Sequence, residues 1–137
     1  MGDGPALRAA VMFVRDLDRS VAFYRDLLDL RVSDASTTAA LLINDDGSQL
    51  VLRATGANAT HSLGSVGVQY LAWTTATRAD LDRRADILRR HSAYIETRTD
   101  PGVTVVEGRD PDDVVVILVY ADGRGPMQSI PARVYAW

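Results

Sequence analysis

The sequence predicts an α+β fold: two βαβββ modules, paired so that their strands form a curved mixed sheet with a concave pocket. Three observations lead there. Residues 9–30, AAVMFVRDLDRSVAFYRDLLDL, run from a short apolar strand through a sharp turn into an amphipathic helix. The order strand, helix, three strands then recurs after about 60 residues, and a repeat of that size implies two copies of one unit burying their faces together. Between the copies, residues 54–65, ATGANATHSLGS, carry little hydrophobic pattern and read as a linker or mobile loop. The expected organisation is a single domain over 1–137. It comprises a first module at 7–53, the linker at 54–65, a second module at 66–120 and a C-terminal tail at 121–137.

Each element has its own reason. Residues 7–14 are apolar, small or β-branched, as in a buried strand. Asp16 is a good helix N-cap, and Asp18 places negative charge in the first turn, where the helix dipole favours it. Leu17, Val21, Tyr24 and Leu28 recur at helical spacing, with Phe23, Leu27 and Leu30 widening the stripe. The expected helix covers 16–29. Three strands follow at 31–33, 38–43 and 48–53, the last two joined by Asn44-Asp45-Asp46-Gly47, a strong hairpin turn. In the second copy, residues 66–74 form a strand. Thr77 caps a helix, with Asp80 three residues on in the manner of a capping box. Leu81, Ala85 and Leu88 carry that helix's stripe to Arg90. Strands at 94–98, 102–107 and 114–120 complete the copy, and Asp110-Pro111-Asp112-Asp113 turns into the last of them as a solvated acidic turn.

Composition narrows the function. The chain has 137 residues, 47% hydrophobic and 24% charged, a globular balance with enough length for a sizeable core. Net charge is −3 and all 15 basic residues are arginine; no basic stripe with interleaved aromatics invites nucleic acid. The absence of cysteine removes disulfides, thiolate nucleophiles and Cys-based zinc sites, and is compatible with a reducing cytosol. The first ten residues, MGDGPALRAA, lack the pattern of a signal peptide, and no apolar run approaches the ~18 residues of a membrane span. A cytoplasmic location without membrane association is expected. There is no Ser-His-Asp arrangement, phosphate loop or C-x-x-C motif. His61 and His91 match no metal-binding spacing.

The segment VRDLDRSVAFYRDLLDLRV resembles the first-module signature of the vicinal oxygen chelate superfamily, which includes glyoxalase I, extradiol dioxygenases, fosfomycin-resistance enzymes and bleomycin-resistance proteins. GRDPDDVVVILV resembles that superfamily's last-strand signature. The resemblance spans about residues 7–120. It implies the paired βαβββ fold and, in the enzymes, a divalent metal held by one residue from each of strands one, four, five and eight, usually His, Glu or Gln, His and Glu. Carried onto this chain, those positions fall on Ala9, Val51, Tyr70 and Ile117. Three of these side chains offer no donor, and a lone neutral tyrosine is a poor ligand for such cations. No metal and no other cofactor is expected.

Strand alternation then gives the lining of the concave face. Strand one contributes Ala9, Val11 and Phe13; strand four, Gln49, Val51 and Arg53; strand five, Tyr70, Ala72 and Thr74; strand eight, Val115, Ile117 and Val119. Met12, Leu52, Trp73 and Leu118 have the opposite parity and should lie under the helices. The expected ligand-binding residues are Phe13, Gln49, Val51, Arg53, Tyr70, Thr74 and Ile117, an apolar wall with a few polar handles suited to a largely apolar small molecule. No residue is assigned a catalytic role. The resemblance is greatest to the metal-free, drug-sequestering members, which implies a homodimer that binds an antibiotic-like natural product without altering it. The alternative is a cofactor-independent biosynthetic enzyme, an isomerase or cyclase, using Tyr70 or an Asp for acid–base chemistry. Tyr135 and Trp137, in the tail, could close a pocket or dock on a second subunit.

Overall fold

The computed structural model describes residues 3–61 and 64–121; Tyr135 and Trp137 lie outside them. The chain divides into two compact units, Met1–Ala59 and Thr60–Trp137. The first contains β1 (Ala9–Val14), α1 (Leu17–Leu28), β2 (Arg31–Ala35), β3 (Ala39–Ile43) and β4 (Gln49–Ala54). The second contains β5 (Tyr70–Thr74), α2 (Arg78–Arg90), β6 (Tyr94–Asp100), β7 (Val103–Arg109) and β8 (Val115–Ala121). Each unit has one four-stranded mixed sheet, in the orders β1-β4-β3-β2 and β5-β8-β7-β6. In both, the first strand runs parallel to the fourth and the remaining pairs are antiparallel. The repeat therefore extends to strand order and direction. It even includes a register irregularity at the same place, between Val32 and Asp34 in one sheet and between Tyr94 and Glu96 in the other.

In the first unit the Asp16 carboxylate accepts the Arg19 N–H at 3.1 Å, fixing the start of α1. Asp29 ends it in the left-handed region at φ 54°. Between these caps, Phe23, Tyr24, Leu27 and Leu28 are buried, with the Phe23 and Tyr24 rings edge to face at 5.1 Å. They cover the sheet face made by Ala40, Leu42, Leu50 and Leu52, none more than 3% exposed. In the second unit Leu81, Ala85 and Leu88 of α2 are buried, as are Val106, Val116 and Leu118 of the sheet beneath. Gly108 marks the closest approach: a Cβ there would lie 2.8 Å from the Ala93 carbonyl oxygen and 2.8 Å from a Leu88 methyl.

Three local readings change. The strand expected from residue 66 begins at Tyr70, because the Gln69 side chain ties the preceding chain into a loop. Its amide oxygen accepts the Gly64 N–H at 3.1 Å, and its NH2 donates to the Ser65 and Gly67 carbonyls. The capping box at Thr77 is half made. The hydroxyl accepts the Asp80 N–H at 3.0 Å, while the Asp80 carboxylate takes Arg83 and Arg84 at 3.1 and 2.9 Å. Those hydrogen bonds outweigh the cost of partial burial and hold the Asp80 carboxyl below its ordinary range. The turn before β8 is solvated only in part, with Asp113 exposed. Asp110 and Asp112 are both 4% exposed, and the Asp110 carboxylate accepts the N–H groups of Asp112 and Val114 at 2.8 and 3.0 Å. In the corresponding turn Asp45, Asp46 and Gly47 are exposed, the Asp46 carboxylate accepts the Ser48 N–H at 2.9 Å, and Gly47 turns the chain at φ 88°.

Candidate functional site

With one face of each sheet under its helix, alternation assigns the other face. In the first unit that face carries Ala9, Val11 and Phe13 on β1, Gln49, Val51 and Arg53 on β4, and Ala39, Leu41 and Ile43 on β3. It is largely open: Val11 is 64% and Phe13 60% exposed, against 1% for Val14 one residue further on the helix side. Phe13 and Arg53 are direct partners across the β1–β4 ladder. The Arg53 guanidinium lies over the Phe13 ring, 5.3 Å from its centroid, a cation–π contact worth about 0.5–1 kcal/mol in an exposed setting. Gln49 is exposed and Val51 half-buried. Phe13, Gln49, Val51 and Arg53 thus share one surface.

In the second unit the corresponding face carries Tyr70, Ala72 and Thr74 on β5, Val115, Ile117 and Val119 on β8, and Val103, Val105 and Glu107 on β7. Val115, Ile117 and Val119 form a buried cluster against which the half-buried Tyr70, Val103 and Val105 pack. Ile117 is 4% exposed, whereas Thr74 is exposed. Tyr70, Thr74 and Ile117 share this surface, but Ile117 belongs to its packed interior. Trp73, on the helix side, is half-buried.

A residue that sequence reasoning passed over stands here. Glu107 is 5% exposed on the same face. Arg98 reaches toward it at 3.9 Å and toward Glu96 at 3.0 Å. The alternation Val103, Val105, Glu107 was the available signal, since it places an acid in line with two valines.

The metal positions implied by the resemblance can be tested on donor chemistry. Ala9 is exposed beside its ladder partner Gln49, Val51 lies opposite Val11, and Ile117 lies opposite Ala72 and Glu107. The four positions offer one phenol. Adding the Gln49 amide would give two weak neutral donors, which do not make a site for a divalent ion. Among the described residues no group of three or more His, Cys, Asp or Glu could hold a metal ion. The donor set does not fit the family's metal.

Comparison with known proteins agrees with the fold and its repeat. The profile of the Glyoxalase/Bleomycin resistance protein/Dioxygenase superfamily matches residues 6–118. A glyoxylase/bleomycin resistance protein/dioxygenase domain from Frankia sp. EAN1pec is similar at a TM-score of 0.75 and 21% identity, over 87% of this chain and 99% of that one. Lactoylglutathione lyase from Agrobacterium tumefaciens is similar at 0.69 and 20% identity, over 91% and 100%. The fosfomycin resistance protein FosX from Mesorhizobium loti is similar at 0.66 and 19% identity, over 88% and 94%. A search of curated protein sequences found no significant match. Among the described residues no helix is long and apolar enough to cross a membrane.

Proposed function

Because the chain belongs to the glyoxalase/bleomycin resistance protein/dioxygenase superfamily, we propose that it is a metal-independent binder of a largely apolar small molecule, an antibiotic-like natural product that it sequesters unchanged. The observation that carries this is the donor set: Ala9, Val51, Tyr70 and Ile117 occupy the four positions where the family's enzymes hold their metal. What remains on the helix-free faces is apolar surface with a few polar groups, the usual composition of a small-molecule site. Phe13, Gln49, Val51 and Arg53 serve this role in the first module, and Tyr70 and Thr74 in the second, where Ile117 packs beneath them as part of the buried cluster. The protein acts in the cytoplasm as a homodimer, and no step of its action uses a metal or organic cofactor.

That the fold serves both drug resistance and catalysis is evident from its structural relatives, a fosfomycin resistance protein and a lactoylglutathione lyase. The experiment must therefore separate binding from turnover. Natural products are titrated against the protein while tryptophan fluorescence is followed, and the ligand is recovered and analysed by mass spectrometry. Saturable binding with unchanged ligand supports sequestration. Recovery of an isomerised or cyclised product overturns it in favour of cofactor-independent catalysis.

A further inference from the structure

We propose that the ligand of the first module is a planar aromatic anion, its ring laid against Val11 and the exposed part of Phe13 and its acidic group held by the N–H edge of Arg53. This rests on the small-molecule reading above and adds to it the charge and shape of the ligand.

Globular chains seldom leave a phenylalanine and a valine side by side on a sheet at 60% and 64% exposure without something to cover them. Here both belong to β1, on the face that α1 does not cover, and Val51 and Leu41 continue the apolar surface across β4 and β3. Arg53 stands near the end of β4, the strand between β1 and β3. Its neighbours in the ladder are Phe13 on one side and Ala39 on the other. Among the described residues no carboxylate pairs with it. The acid that shares the face, Asp34, is on the edge strand β2, opposite Leu41 and two strands away from β4, which at ~4.8 Å per strand puts it about 10 Å off even before the offset along the chain.

The guanidinium is also restrained. Its central carbon lies over the Phe13 ring, 5.3 Å from the centroid. A guanidinium carries its N–H donors in a planar fork that matches a carboxylate, and one restrained by a ring contact loses less freedom on binding than an unrestrained one. The surrounding valines and leucine exclude water from any planar group laid beside it, which strengthens the charged hydrogen bonds. A neutral ligand would gain the apolar contact alone. A cationic one would meet an unneutralised arginine. The charge of Arg53 therefore selects an aromatic carboxylate, phenolate or similar anion.

The test uses a matched pair of probes, 2-naphthoate and 2-naphthamide, alike in ring and size and differing in charge. Each is titrated calorimetrically into wild-type protein, Arg53→Gln, Arg53→Lys and Phe13→Leu. Arg53 is exposed, so unchanged thermal unfolding of Arg53→Gln confirms that the variant is folded. We expect wild type to prefer naphthoate by about tenfold. Arg53→Gln should erase the preference by weakening naphthoate far more than naphthamide, Arg53→Lys should keep part of it, and Phe13→Leu should weaken both probes. If naphthamide binds but naphthoate has no advantage, or the advantage survives in Arg53→Gln, this inference fails and the wider reading stands. If neither probe binds wild type, this inference fails, and the wider reading is decided by the natural-product titration.

Discussion

Glu107 stands directly opposite Ile117 across the β7–β8 ladder, and both are buried, at 5% and 4% exposure. The position that the family's resemblance reserves for a metal-binding glutamate holds an isoleucine, and the buried acid of this face, Glu107, is one strand away. Glu107 has Arg98 at 3.9 Å, and Arg98 in turn holds Glu96 at 3.0 Å. The acid is built into the sheet as part of an Arg–Glu arrangement next to an apolar cluster.

Arg98→Met should therefore cost more than the loss of an ordinary surface pair. Removing the cation takes a charged neighbour from the buried Glu107 carboxylate. Because Arg98 is itself 32% exposed, the penalty stays below that of a fully buried pair, about 1–2 kcal/mol. Urea unfolding should show this loss, and Arg98→Met with Glu107→Gln should recover part of it. Equal costs for Arg98→Met and Glu96→Gln would show that Glu107 is insensitive to its neighbour.

Gly108→Ala should destabilise the second module by about 1–3 kcal/mol, the usual range for overpacking. The new methyl would meet the Ala93 carbonyl oxygen and a Leu88 methyl, each at 2.8 Å. Adding Leu88→Ala should not restore stability, because the carbonyl contact remains and a cavity is added. Thermal unfolding of the two single variants and the double variant checks this.

Ser20→Ala should stabilise the protein by about 1 kcal/mol. Ser20 is fully buried in α1, and its hydroxyl is the buried side-chain polar atom left without a hydrogen-bond partner among the described residues. Removing a desolvated, unmatched hydroxyl and substituting the best helix former both act in the same direction. A higher urea midpoint at unchanged slope is the expected result.

Asp80→Asn should destabilise α2 at neutral pH, with a deficit that fades in acid. Burial alone would raise the Asp80 carboxyl, but the Arg84 and Arg83 hydrogen bonds prevail and its pKa in the fold lies below 3.8. A lowered carboxylate contributes stability that is fully present above its unfolded value and is lost as pH falls through the folded one. Denaturation curves of wild type and variant should therefore stay apart from pH 7 to about 5 and converge below 3.8.

Much of this fold was legible in the chain. Asp16 and Thr77 announce their helices by the chemistry of the N-cap, and both carry it out. The parity that separates Phe13 and Arg53 from Leu52 and Val14 follows from strand alternation and holds in the structure. What escaped depended on side chains acting at a distance in sequence or across a turn. Gln69 shortens β5 by bonding three backbone groups behind it. Asp110 is drawn inside by the two N–H groups it accepts. Glu107 read as one of two glutamates in an acidic chain, because its burial depends on the strands around it rather than on its own neighbours in sequence. The exposure of Phe13 was equally hidden, since an aromatic residue on a strand ordinarily fills an interior.

Metal binding tests the central claim most directly. The purified protein is equilibrated with Mn2+, Zn2+ and Fe2+ in turn, desalted and analysed for bound metal, with Tyr70→Phe run alongside. A chain with Ala9, Val51, Tyr70 and Ile117 at the four strand positions should retain no stoichiometric metal, and EDTA treatment should leave its small-molecule binding unchanged. One equivalent of metal per chain, lost in Tyr70→Phe, would contradict the account.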